Sequence, residues 1–296
     1  MPITSDTQNL PTSSKYLDLG FAVFRDDSKQ VAEICRRALD RATQLGNAPP
    51  SELEQKWRHK SGQVKHIVNP HRTEPIFREL IQSGFVQNVI AQTYGPSPVY
   101  VTHSKISYKV AHLEQVWLPH QDSAYKGHDA QGLTVCIFLE DCDRENGTIE
   151  VFPRSHLQGR MDHQIIFVAN ETEPQIKLRL RLKQESEPVC GLQGDVLCMS
   201  LHTVHQSGHN RRDGLRSIFI FEVEPIYGFP LEYDGRNALV LNCRPENLTR
   251  SLFLPLVRRW LYFKETQLKP LAKRALYLLH LVFNKSNTKR TDPNAP

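Results

Sequence analysis

The pattern of this chain changes near residue 98, and that change limits what it can fold into. Before it, apolar residues recur every three or four positions. After it, they fall into short β-rich runs separated by Gly and Asn turns. Val31, Ile34, Cys35, Ala38, Ala42 and Leu45 predict one helix, capped by Ser28. Ile76, Phe77, Leu80, Ile81, Phe85, Val86, Val89 and Ile90 predict a second over residues 75–94, and Pro96 and Pro98 stop it. Residues 16–24 contain a strand candidate, Gly20-Phe-Ala-Val-Phe24, and the polar stretch 46–72 reads as a surface excursion. Strands are predicted over 99–109, 133–138, 148–152, 176–182, 196–199 and 217–222. Helices followed by many short strands, without strand–helix–strand alternation, predict an antiparallel sandwich or barrel with helices on one side.

Charge is unevenly distributed. Residues 241–296 carry 11 Lys/Arg against 3 Asp/Glu, whereas the preceding 240 carry 26 against 29. A nucleic-acid enzyme spreads cations over its main body, so this body is expected to act on something small. The tail predicts helices with one apolar face (Leu268, Leu271, Ala275, Leu278, Leu279, Val282) and a basic flank. Packing on the core or across a homodimer is the favoured role for it, with membrane contact the alternative. Six scattered cysteines and no apolar leader behind Met1 suggest a reducing, cytoplasmic setting.

The chemistry is concentrated in two segments. In Trp117-Leu-Pro-His120-Gln-Asp122, an extended backbone puts His120 and Asp122 on one face. Alone, such a pair also fits a solvated turn. The second segment follows the Gly194-Asp195 turn and supplies His202, His205 and His209, with Arg216 entering the next strand. Two histidines and a carboxylate on one face of an octahedral ion leave positions open, as a non-haem iron oxygenase requires. An arginine on an adjacent strand can hold a dicarboxylate bidentately. A small molecule that both chelates iron and offers a far carboxylate is 2-oxoglutarate.

In order along the chain stand His120-Gln-Asp122, Glu145-Asn-Gly147, Phe152-Pro-Arg-Ser-His156, Gly194-Asp195, His205-Gln-Ser-Gly208 with Asn210, and Arg216. In these motifs residues 15–230 resemble the phytanoyl-CoA dioxygenase family of Fe(II)/2-oxoglutarate oxygenases. Two positions depart from the family pattern: Arg154 stands where the proline-serine-histidine segment has glycine, and Gln206 where glycine usually follows the distal histidine.

The resemblance implies a mainly β fold with flanking α, a double-stranded β-helix (jelly-roll or cupin-like) core over residues 1–240, followed by the basic helical extension 241–296. By motif position His120, Asp122 and His205 become the iron ligands, with His202 and His209 as competitors for the distal place. Arg216 and Ser207 become the clamp on the cosubstrate's far carboxylate. His103 and Lys105 lie where a relative carries a Gln-Ser-Arg run and are expected as further cosubstrate contacts. Asp122 fills the position that related halogenases leave to chloride, which favours hydroxylation. The implied cofactors are Fe(II) and 2-oxoglutarate. The implied activity is hydroxylation of an unactivated C–H bond, with release of succinate and CO2. The expected partners are dioxygen and a small anionic metabolite such as an amino acid, a phosphonate or a natural-product intermediate, and no nucleic acid. Lys60, Lys65, His66, Arg72, Lys126, Arg160 and His163 motivate the anionic preference. An acyl-CoA or lipid-like substrate is the runner-up, and a non-catalytic binding protein on the same fold the third reading.

Overall fold

The computed structural model describes residues 12–27, 29–49, 57–95, 98–113, 115–126, 130–168, 171–225 and 239–242. The helices expected beyond residue 242, and Ser28, lie outside these residues. In chain order the elements are α1 (Thr12–Leu19), β1 (Phe21–Phe24), α2 (Gln30–Asn47), β2 (His66–Val68), α3 (Pro70–Thr73), α4 (Pro75–Gln82) and α5 (Gly84–Tyr94). Then come β3 (Pro98–Lys109), β4 (Trp117–His120), β5 (Leu133–Phe138), β6 (Ile149–Val151), β7 (His163–Ile166), β8 (Gln175–Leu178) and β9 (Glu187–Pro188). The last strands are β10 (Val196–Ser200), β11 (His205–Ser207), β12 (Arg216–Pro225) and β13 (Val240–Asn242).

Side-chain alternation explains how these elements layer. On β5, Val135 and Ile137 join a cluster with Val31, Phe77, Leu80 and Val86 of the helices, while Cys136 and Phe138 pack with Ile149 and Val151 of β6. A strand buried on both faces has to be apolar throughout, which is why 133–138 reads as an unbroken run. One face of the large sheet, ordered β1-β10-β5-β12-β3-β13 with β2 also on β3, therefore carries the helices. Its other face packs on a four-stranded sheet, β4-β11-β6-β9. The named strand pairs are antiparallel. Two such sheets curled face to face, with helices on one side, form a double-stranded β-helix core.

The strand candidate 20–24 forms β1, preceded by helix over Tyr16–Leu19 and by Gly20, whose φ of 86° turns the chain. Near the start of α2 the Asp26 carboxylate accepts from the Val31 N–H at 2.7 Å. Two longer segments depart from expectation. Residues 75–94 form two helices, because the Ser83 hydroxyl accepts from the Val86 N–H and starts α5 afresh. The 46–72 stretch is no mere surface excursion. Val64, Lys65 and His66 are buried and β2 pairs with β3, because Lys65 finds a carboxylate partner in Glu171 far along the chain.

Both departures from the family motifs are accommodated: the Gln206 amide donates to the Glu150 carboxylate at 2.8 Å and to the Ser186 hydroxyl at 2.9 Å. Arg154 sits at φ 63°, a left-handed conformation that suits glycine, and its guanidinium is held by Asp18 at 2.7 Å. Gly147, at φ 73°, is required: a Cβ there would come within 2.8 Å of the Gly208 and His209 carbonyl oxygens.

Candidate metal centre

His120 and His205 face each other across the β4–β11 ladder, with ring centroids 4.3 Å apart. Asp122 joins them as the alternation argument expects: β4 ends at His120, but Gln121 keeps an extended backbone at φ −111° and ψ 138°, and Asp122 then opens a single 3-10 turn over residues 122–125. Asp122 Oδ1 lies 3.9 Å from His120 Nε2, and its Oδ2 3.7 Å from His205 Nε2. One candidate ligand atom from each residue lies within 4.8 Å of the other two, and all three residues are buried.

The surroundings fix which atoms face inward. His120 Nδ1 is 2.6 Å from the Leu118 carbonyl and His205 Nδ1 3.1 Å from that of Thr203. A carbonyl only accepts, so each Nδ1 carries the proton and each Nε2 lone pair is free for a metal. Thr134 on β5 donates to Asp122 Oδ2 at 2.5 Å. Burial alone would raise the Asp122 carboxyl, but His205, Lys105 and His120 outweigh it and hold the group below the usual carboxylate range. Burial, and next His205, push His120 down to about 3, so its ring is neutral near pH 7, as a ligand must be. Replacing Thr134 with valine removes the hydroxyl at nearly constant shape. Iron affinity is expected to fall about 10–100-fold with unchanged unfolding behaviour; a metal titration giving wild-type affinity would discount the contact.

The register of the large sheet orders the rest of the site. Along the β3–β12 ladder the inward pairs are Lys109 with Arg216, Ser107 with Ile218, Lys105 with Ile220, and His103 with Glu222. Glu222 also faces Thr134 on β5, so the His103 end of the ladder is the metal end and Arg216 marks the deep end. Lys105, Ser107, Trp117, Ser207 and Arg216 line the same cavity as the triad. Arg216 is buried; its Nη2 donates to the Gly147 carbonyl at 3.0 Å, while its Nε has no hydrogen-bond partner. A buried guanidinium left partly unpaired at the end of a cavity fits an incoming carboxylate.

Neither competing histidine joins the centre: the His202 ring contacts the Ser123 hydroxyl at 3.1 Å, and His209 is not part of the donor cluster. His103 is half-buried, and burial followed by Lys105 pushes its ring down to about 3. Of the expected pocket cations, Lys65 is paired with Glu171, and Lys126 with Glu222 at 2.6 Å and Glu224 at 3.1 Å. The site also uses residues that no sequence pattern singles out. Thr134 is one, and Gln121 is another: its amide holds the Gly159 and His202 carbonyls, and its backbone N–H reaches His163.

A bis-imidazole and carboxylate face, carried on a double-stranded β-helix with a buried arginine on the same cavity, fits Fe(II) and a chelating 2-oxo acid. The fold and the donor set together define an oxygenase that uses Fe(II) and 2-oxoglutarate. Residues 17–218 match the phytanoyl-CoA dioxygenase (PhyH) family, and the chain belongs to it. Among curated relatives, it is 33% identical over 104 residues to L-proline trans-4-hydroxylase of Streptomyces griseoviridis, covering 33% of this chain and 38% of that protein. It is 26% identical over 262 residues to a probable alpha-ketoglutarate-dependent hypophosphite dioxygenase of Stutzerimonas stutzeri, covering 82% and 89%. Among solved structures, the epimerase SnoN in complex with Fe3+, alpha ketoglutarate and nogalamycin RO matches with a TM-score of 0.58 at 20% identity, covering 72% of this chain and 82% of that one. EctD from S. alaskensis in its apoform matches with a TM-score of 0.57 at 16% identity, covering 78% and 85%. These structural likenesses speak for the fold. Among the described residues no helix is long and apolar enough to cross a membrane.

Proposed function

We propose that this chain hydroxylates an unactivated C–H bond of a small metabolite. The observation that carries the reading is the shared cavity, onto which both the His120–Asp122–His205 face and Arg216 open. Fe(II) and 2-oxoglutarate, once bound, supply the oxidising chemistry, in which dioxygen is consumed and 2-oxoglutarate leaves as succinate and CO2. The protein binds, orients and keeps water out. His120 and His205 would hold the metal through Nε2, and Asp122 through its carboxylate. Arg216 and Ser207 would hold the far carboxylate of 2-oxoglutarate, with the fork of Arg216 fixing its plane. Lys105, whose Nζ lies 5.5 Å from the centre of the Trp117 ring, lines the cavity between the two ends. Six residues of strand, about 20 Å, separate the His103 row from the Arg216 row. His103 therefore faces the metal end of the cosubstrate, or the substrate itself.

The relatives named for L-proline and hypophosphite support a small substrate. The anionic preference loses two of its supports, since Lys65 and Lys126 are neutralised within the fold. The screen therefore takes anionic, zwitterionic and neutral metabolites together with acyl-CoA thioesters. Succinate release stimulated by a compound identifies a substrate, and stimulation by thioesters alone would establish the runner-up reading. With the substrate in hand, turnover under labelled dioxygen and added chloride is expected to give a product carrying one labelled oxygen and no chlorine. A chlorinated or unlabelled product would overturn hydroxylation.

A further inference from the structure

The deep end of the cavity contains a second buried cation that the proposed reaction leaves unused. Lys109 is 0% exposed and closes β3 directly across the ladder from Arg216. Its Nζ donates to the Gln115 carbonyl at 2.9 Å and to the Gly208 carbonyl. Among the described residues these are the only hydrogen bonds that Nζ makes, and Nζ is in no ion pair. An ammonium has three N–H donors, so two carbonyls satisfy a neutral amine and leave a charged one a partner short.

The two contacts tie the loop ahead of β4 to the corner just after Ser207. The lysine stem packs on Gly147, whose carbonyl accepts from Arg216. Lys109 does not line the cavity; it stands behind the residues that do. We propose that Lys109 is a positioning residue of the cosubstrate pocket, which sets Gly147 and the Ser207–Gly208 corner around Arg216 and takes up a proton when a carboxylate reaches Arg216. The proposal rests on Arg216 being the 2-oxoglutarate clamp.

Three charged groups act on Lys109 from the surrounding elements: Arg216 on β12, Glu150 on β6 and Lys65 just before β2. Burial pushes the amine well below its usual range. Arg216 and Lys65 push the same way, and Glu150 opposes them. A carboxylate bound at Arg216 offsets the largest of these charges, so the amine binds its proton more tightly in the complex. A group whose pKa rises on binding takes up protons between its free and bound values, and affinity then falls as pH rises through that window.

The test is calorimetric titration of the Fe(II)-loaded full chain with 2-oxoglutarate, without oxygen, in buffers of different ionisation enthalpy from about pH 6 to about pH 9.5. The expected result is net proton uptake in the wild type, with affinity declining toward high pH. Lys109→Met is expected to lose both effects and to bind about 10-fold more weakly at low pH, with iron affinity unchanged. Wild-type binding without proton uptake and independent of pH would overturn the proposal even if the variant does not fold. A variant that keeps wild-type affinity and uptake would overturn it as well. Failure of the iron-loaded wild type to bind 2-oxoglutarate at all would instead remove the clamp assignment, and this proposal with it.

Discussion

Replacing His205 with alanine is expected to remove iron binding and turnover together. The side chain supplies one of three protein ligands, on a buried face where no other described residue can substitute. The His202 ring lies against Ser123, and His209 is outside the donor cluster. Loss of a partner that merely orients a ligand weakens metal binding about 10–100-fold, so loss of a ligand is expected to exceed ~100-fold. The variant should still fold, because the β11 ladder to β4 and β6 depends on backbone groups that alanine retains. Metal analysis of the purified variant, with thermal unfolding as control, is the measurement. Undiminished iron affinity would transfer the distal place to His202 or His209. Iron binding by the wild type should also weaken in acid, where protons compete for the imidazoles and for Asp122.

Arg216→Leu is expected to act on the cosubstrate alone. A charge-assisted contact to a carboxylate contributes about 1.5–3 kcal/mol, which corresponds to a ~10–150-fold higher 2-oxoglutarate requirement. Iron affinity should be unaffected, since the register places Arg216 at the far end of the ladder from the metal. Arg216→Lys retains charge without the planar fork and should fall between the wild type and the leucine variant. Succinate release measured against 2-oxoglutarate concentration separates the three proteins. A leucine variant with the wild-type half-saturation value would place the far carboxylate elsewhere, with Lys105 the next cation on the same cavity.

Both expectations concern residues that could be found before folding, because their chemistry survives as spacing. An H-x-D pair, a histidine after a G-D turn and an arginine at the next strand's start are short-range patterns, and the ladders keep their order. His120 and Asp122 share a face because Gln121 between them is extended, a local property that the H-x-D spacing expresses, whereas the 3-10 turn that begins at Asp122 has no periodic signal of its own. In the 46–72 stretch polarity does not mean exposure, since Arg58, His59, Lys65 and His66 are buried. A lysine can be buried when its partner is Glu171, and a separation of 106 residues lies beyond any local pattern.

Read alone, the sequence determined the candidate donor residues, their order, the longer helical and strand segments and the family motifs, all of which follow from residue type and near-neighbour spacing. The tertiary structure alone decided which of His202, His205 and His209 meets Asp122, that Thr134 orients that carboxylate, and that Lys109 stands behind Arg216. It also decided that Lys65 and Lys126 are neutralised within the fold. Each of these depends on strand register and on pairing between distant segments, and register comes from packing the two sheets and the helices together. A one-residue slip of β12 against β3 would leave every local pattern intact and turn Arg216 away from the cavity.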